Sequence, residues 1–255
     1  MSLNAQATAY AQRRNRLTRW SLRWGSECSW RAQLALFVLA YGLYTFARWV
    51  FVGDLRRQGS TRTGSSSAGV AVEASVQQTL GSELSIWLLN NVYLATQLVV
   101  IPAALVFTYG RDQLVYRALR NTLLATWLIA IPIYALFPVA PPRLADVGLI
   151  DTVSQQSGVG LSGRSTMFYN PLAAVPSLHV GFATAIGIAV AAVLHRPWTK
   201  LAAAMWGPTV ALAVVATGNH FVFDIAAGLA VTLAGVIAAA APGYLRRRRP
   251  TPATG

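Results

Sequence analysis

Six stretches of this chain are apolar enough, and long enough or nearly so, to cross a bilayer, and that pattern excludes most folds before any single residue is considered. They run from Ala32 to Val52, Leu84 to Tyr109, Asn121 to Ala140, Pro176 to Leu194, Leu201 to Asn219 and Phe221 to Leu245, the fourth and fifth being the shorter ones. A helix needs about 20 mostly apolar residues to span the hydrocarbon core. Composition agrees: 55% of residues are hydrophobic, 11% are charged and mean hydropathy is +0.46, outside the range of soluble domains of this length. The expected fold is all-α, a polytopic membrane protein built as a bundle of six transmembrane helices. It occupies residues 31–245 as one domain, between a basic segment over 1–30 and a basic tail over 246–255.

The net charge of +13 first suggests nucleic acid, but the arginines sit in short clusters between apolar runs, with no basic stripe interleaved with aromatics. They read as topology signals. Arg13, Arg14, Arg16, Arg19 and Arg23 precede the first span; Arg111, Arg117 and Arg120 lie between the second and third; Arg196 and Lys200 join the fourth to the fifth; Arg246 to Arg249 close the chain. With six spans all four clusters fall on one side, which should be the cytoplasm. Both termini are then inside, and segments 53–83, 141–175 and 219–221 are outside. The partners implied are the lipid bilayer and a membrane lipid substrate, with no nucleic acid. An alanine- and arginine-rich composition with a single lysine fits a bacterium with a GC-rich genome, so the expected location is the plasma (inner) membrane with an extracytoplasmic site.

Cys28 is the only cysteine, so an intrachain disulfide and a thiolate metal cluster are both impossible. Pro102, Pro132 and Pro208 fall inside three runs, which a membrane helix tolerates by kinking while neighbours satisfy the freed carbonyl. Asn90, Asn91 and Gln97 make the second run the most polar and suit interhelical hydrogen bonds. Segment 53–83 opens on a Ser/Gly/Thr-rich loop, with a short interfacial helix expected over Val70 to Leu80. Segment 141–175 holds Pro141, Pro142, Arg143, Asp146, Asp151, Arg164, Tyr169 and Asn170, and a loop of that length in a compact bundle is commonly functional.

The topology sorts the three histidines. His195 falls at the inner end of the fourth span beside Arg196, an interfacial position. His179 and His220 fall at outer ends, and Asp224, the only acidic residue inside the last four spans, follows His220 by four. On a helix that spacing turns both side chains the same way, so the carboxylate can hold one imidazole N–H and raise the basicity of the other nitrogen. In AAVPSLHVGFA, Pro176 suits a first helical turn and Ser177 a cap, so backbone N–H groups there would face an anion site. A buried ionisable group in a span is a functional candidate by default.

With Pro176-Ser177-Leu178-His179 and His220-Phe221-Val222-Phe223-Asp224 in this order, the chain resembles the membrane-bound type 2 phosphatidic acid phosphatase superfamily, whose motifs are PSxH and HxxxD. The resemblance covers about the last two-thirds of the chain. Through FPVAPPRL, AAVPSLHVGFA and TGNHFVFD it is similar to the branch of inositolphosphotransferases and inositol phosphorylceramide synthase-like bacterial proteins. It implies that His220 attacks phosphorus to give a phosphohistidine, Asp224 orients it, and His179 protonates the leaving oxygen and then activates the acceptor. Ser177, Arg143 and Arg164 would hold phosphate oxygens, with no metal or other cofactor required. Two departures stand out. The family's lysine and Arg-Pro are replaced by Leu136 and Pro142-Arg143, and its Ser-Arg before the histidine by Ala213 and Val214.

The resemblance implies a lipid phosphatase or phosphotransferase. Two other readings remain: a lipid or ion transporter using the histidines and Asp224 as a proton relay, and an inactive membrane scaffold. A relay needs polar groups strung through the membrane depth, and the last two spans carry theirs at the outer end. The complete His-His-Asp set argues against a scaffold. The particular lipid, the acceptor and the oligomeric state are not encoded in the motifs.

Overall fold

The computed structural model describes residues 31–39, 42, 46, 67–137, 139–145, 147–153 and 174–247, with backbone alone for 67–69 and 242–247. The N-terminal segment 1–30, most of the first expected span, loop 53–66, Asp146, Arg164 with the rest of 154–173, and the tail from 248 lie outside the described residues.

Among the described residues the protein is helical throughout. Helix α1 covers 31–39, followed by α2 (Ser67–Thr79), α3 (Glu83–Ala95), α4 (Ile101–Arg111), α5 (Gln113–Leu136), α6 (Leu178–Val193), α7 (Pro197–Ala204), α8 (Trp206–Ala216) and α9 (Val222–Arg247). A π-turn over Thr96–Val100 fuses α3 and α4 into one apolar rod, Glu83–Arg111. Together with Gln113–Leu136, Pro197–Ala216 and Val222–Ala241 it makes four helices long and apolar enough to cross a membrane. Leu178–Val193 is a fifth apolar helix of 16 residues.

Local chemistry sets these boundaries. Ser82 caps α3, its Oγ accepting the Ser85 N–H at 3.2 Å. Asp112 caps α5, its Oδ1 accepting from the N–H groups of Leu114 and Val115 at 2.8 and 3.2 Å, so the 111–113 connection turns within one residue. Pro102 is the second residue after the π-turn. It has no N–H to offer the preceding turn, and the widened turn absorbs the mismatch. Pro208 likewise sits in the first turn of α8, just past the break at Met205 that separates α7 from α8. Of these three prolines, Pro132 alone lies inside an uninterrupted helix.

Helix α9 packs through small residues. A Cβ at Gly228 would strike the backbone of Ser177, one at Gly181 the side chain of Thr232, and one at Gly235 the side chain of Thr126. Backbones of α9, α5 and the start of α6 therefore approach more closely than larger residues allow, the packing mode of helices in lipid. One core cluster joins Tyr116, Leu123, Tyr134, Leu178 and Phe182; a second joins Tyr93, Val153, Val180, Val210 and Val214. Leu98, Val106, Leu128, Ile188, Leu233 and Ile237 face outward and are more than half exposed. Such a large apolar exterior suits hydrocarbon and not water.

Asn90 reaches out of its own helix to Thr152, a helical residue of segment 141–175. Its Nδ2 donates to Thr152 O at 3.0 Å and its Oδ1 accepts from Thr152 Oγ1 at 2.9 Å. Asn91 and Gln97 are exposed, and Asn91 bonds back to Trp87 O of its own helix. The expected interfacial helix over Val70 to Leu80 exists as α2, but Glu73 and Gln77 are buried in the bundle and do not face an interface.

Candidate active site

The turn between α8 and α9 carries His220, and its shape follows from one glycine. Gly218 has φ +71°, which an L side chain rarely adopts. With it in this left-handed conformation, the Gly218 N–H reaches Val215 O at 3.0 Å and the Asn219 N–H reaches Val214 O at 2.9 Å, the paired bonds of a Schellman stop. The His220 N–H shares the same Val214 carbonyl at 3.1 Å. The histidine is thus anchored by its own backbone to the last turn of α8.

His220 lies before α9, so the expected arrangement of His220 and Asp224 on one helix face is corrected. The carboxylate nevertheless reaches it, because Asp224 folds back over the start of its own helix. Asp224 Oδ2 accepts the Phe221 N–H at 2.8 Å, half of a capping box, and lies 3.3 Å from His220 Nδ1. Ala174 O is 2.9 Å from the same Nδ1. Both neighbours are acceptors, which assigns the ring proton to Nδ1 and leaves the lone pair on Nε2. Asp224 is fully buried.

His179 opens α6 and is brought to the same place. Its ring centroid is 6.0 Å from that of His220, and its face stacks on Tyr93 at 4.3 Å with 20° between planes. Ser177 holds the N-cap position, but the expected hydroxyl cap is corrected. Its backbone does the capping: Ser177 O accepts from the Gly181 N–H at 3.1 Å, and its own N–H donates to Asp224 O at 3.0 Å. The hydroxyl is fully buried and makes no hydrogen bond among the described residues. Pro176 is not in the first turn as expected; it precedes the cap, after a cis peptide bond, and its carbonyl accepts from Tyr134 Oη at 2.6 Å.

Arg143 is the arginine that the structure brings to this turn. Its backbone N–H donates to Gly218 O at 3.0 Å, its Nη1 donates to Asn219 Oδ1, and its Nε lies 3.4 Å from Asp151 Oδ2. Asn219 is itself held by Thr217, Nδ2 donating to Oγ1 at 2.8 Å. Ala213 and Val214, which stand where the Ser-Arg pair was sought, are fully buried in the helix interior. His195 is exposed in the α6–α7 connection, apart from the site.

A family model described as the PAP2 superfamily matches residues 65–238, from the start of α2 to well inside α9. The chain belongs to the PAP2 superfamily. That membership carries a phosphatase-type, phosphoryl-transfer activity and fits the apolar helices of a membrane protein. No characterised protein and no solved structure matched the chain in the parallel comparisons. Within the PAP2 region the sequence reading missed Tyr93, Asn219, Glu73 and Gln77. Tyr93 carried no signal beyond aromatic composition. Glu73 did, as the only acidic residue between Asp54 and Glu83, four before a glutamine in an otherwise small and apolar stretch.

Proposed function

We propose that this PAP2 protein is a lipid phosphatase or phosphotransferase that forms a phosphohistidine on His220. The observation that carries this reading is the double hold on His220 Nδ1 by Ala174 O and Asp224 Oδ2, which directs an unprotonated Nε2 away from both. A nucleophilic imidazole needs a fixed tautomer and a nearby carboxylate to stabilise the cation formed on attack. Nε2 would attack phosphorus in line with the leaving oxygen, and His179, 6.0 Å away ring to ring, would protonate that oxygen. The same imidazole would then take the proton from water or an alcohol as it opens the phosphohistidine. Ser177 Oγ has a hydroxyl proton that no described residue takes up, and Arg143, held beside His220 by Asn219, supplies positive charge. These are the groups that would meet the phosphate oxygens, and Arg143 would stand in for the arginine replaced by Val214. Arg164 keeps its sequence-based assignment as a further phosphate ligand.

The arginine distribution supports six spans, cytoplasmic termini and a site on the extracytoplasmic side of the plasma membrane. The substrate would be a lipid-linked phosphate or a phosphodiester of the outer leaflet. FPVAPPRL and TGNHFVFD favour a branch similar to inositolphosphotransferases.

The deciding experiment incubates purified protein in lipid micelles with lipid phosphates and phosphodiesters, with and without inositol, beside His220→Ala. His220-dependent free phosphate makes the protein a lipid phosphatase, and a His220-dependent new phosphodiester makes it a transferase. Identical products from wild type and mutant sink the reading.

A further inference from the structure

Helix α2 lies before the region that holds the motifs, yet two of its side chains, one turn apart, reach the turn that carries His220. Glu73 Oε1 accepts the Val222 N–H at 2.7 Å, at the first residue of α9. Gln77 Nε2 donates to Ala216 O at 3.1 Å, at the last residue of α8. The five residues between those two points are Thr217, Gly218, Asn219, His220 and Phe221. Gln77 also exchanges both of its polar atoms with Ile150, donating to its carbonyl at 3.0 Å and accepting from its N–H at 2.9 Å. Ile150 is next to Asp151, which pairs with Arg143.

We infer that α2 is a clamp across the nucleophile turn, with Glu73 and Gln77 as its two positioning residues. The inference deepens the phosphohistidine reading and rests on it. Glu73 is 0% exposed, and among the described residues its Oε2 makes no hydrogen bond and neither Lys nor Arg pairs with it. Burying a carboxylate without a counter-charge is costly, and an apolar residue would pack there with less penalty. The bond it makes is therefore what the carboxylate contributes. That bond satisfies an amide at the start of α9, where the helix dipole favours negative charge. Phe221 and Val222, the two residues after His220, thus have their N–H groups taken by Asp224 and Glu73, while Val214 O holds the His220 N–H from the other side. Release of one end would let the histidine drift relative to His179 without altering the surface a lipid binds.

The test measures kcat and KM in detergent-solubilised full-length protein for Glu73→Gln, Glu73→Ala, Gln77→Leu and His220→Ala, with elution profile and thermal unfolding recorded for each. Glu73→Gln keeps an oxygen for the Val222 N–H and should stay within about threefold of wild-type kcat. Folded Glu73→Ala and Gln77→Leu should lose roughly 10- to 100-fold in kcat at nearly unchanged KM, the usual consequence of a small misplacement of a reacting group. Wild-type kcat in folded Glu73→Ala, or equal loss in Glu73→Gln and Glu73→Ala, overturns the clamp. Should Glu73→Ala fail to fold, Gln77→Leu decides: reduced kcat at constant KM supports the clamp, and unchanged kcat overturns it. A fully active His220→Ala protein would remove the phosphohistidine reading itself, whatever the Glu73 variants do.

Discussion

The imidazole of His179 lies flat on the ring of Tyr93, 4.3 Å between centroids and 20° between planes, and both residues are almost entirely buried. Tyr93 comes from α3 and His179 from the first turn of α6, so the stack joins two helices at the point where the second histidine must hold its angle. Aromatic stacking of this kind is worth about 0.5–1.5 kcal/mol beyond burial. Tyr93→Phe keeps the face and should retain most activity. Tyr93→Ala frees the ring and should lower turnover by roughly 3- to 10-fold or more, as the same energies convert. Steady-state rates of the two variants check this; equal rates would remove the stack from the mechanism.

Arg143 ties Asn219 to Asp151, and lysine cannot reproduce a fork that uses Nε and Nη1 at once. Arg143→Lys should therefore lose about 10- to 100-fold in turnover although its charge is kept. Asp151→Asn should cost less, since the amide keeps an oxygen that can accept from the Arg143 Nε–H. Activity assays at constant ionic strength would separate the two, and a fully active Arg143→Lys would show that the fork is not needed.

Gly228 and Gly110 form an opposed pair. A methyl at Gly228 meets the Ser177 backbone, including its carbonyl carbon at 2.9 Å, whereas one at Gly110 meets nothing within 4 Å. Gly228→Ala should destabilise by about 1–3 kcal/mol through overpacking and disturb the start of α6. Gly110→Ala should be neutral or stabilising by up to about 1 kcal/mol. Thermal unfolding in one detergent reads both, and an unshifted Gly228→Ala midpoint would contradict the close approach.

His195 tests the sorting of histidines by position. It is exposed in the α6–α7 connection, so His195→Ala should match wild type in rate and stability. In the proposed mechanism His179→Ala should lose at least about 100-fold in rate, the typical contribution of a general acid. A damaged His195→Ala would place chemistry at the wrong end of α6.

The apolar runs located four long helices and the 16-residue α6 because hydrocarbon imposes length and composition on a sequence, and both can be read without tertiary information. His179, His220 and Asp224 were legible for a related reason, since ionisable residues in such runs are few. The detailed geometry was not. His220 sits outside α9 because Gly218 takes a left-handed conformation, and sequence spacing cannot tell a helical i,i+4 pair from a carboxylate folded back over a helix start. Tyr93, Glu73 and Gln77 act through partners 73 to 149 positions away, and separations of that size leave no periodic trace. The link from Asn219 to Arg143, 76 positions apart, is hidden for the same reason.

The brevity of α6 has a consequence for how a substrate arrives. Sixteen residues at 1.5 Å each give about 24 Å, some 6 Å short of a typical ~30 Å hydrocarbon core. A rod that short, with its far end level with one headgroup layer, stops about one helical turn below the other unless the bilayer thins around it. With the Val193 end at the headgroups, His179 stands on the recessed end. On the proposed lipid-phosphate reading, a headgroup would have to sink toward the protein to be processed, so turnover should quicken in shorter-chain bilayers, where the descent is smaller.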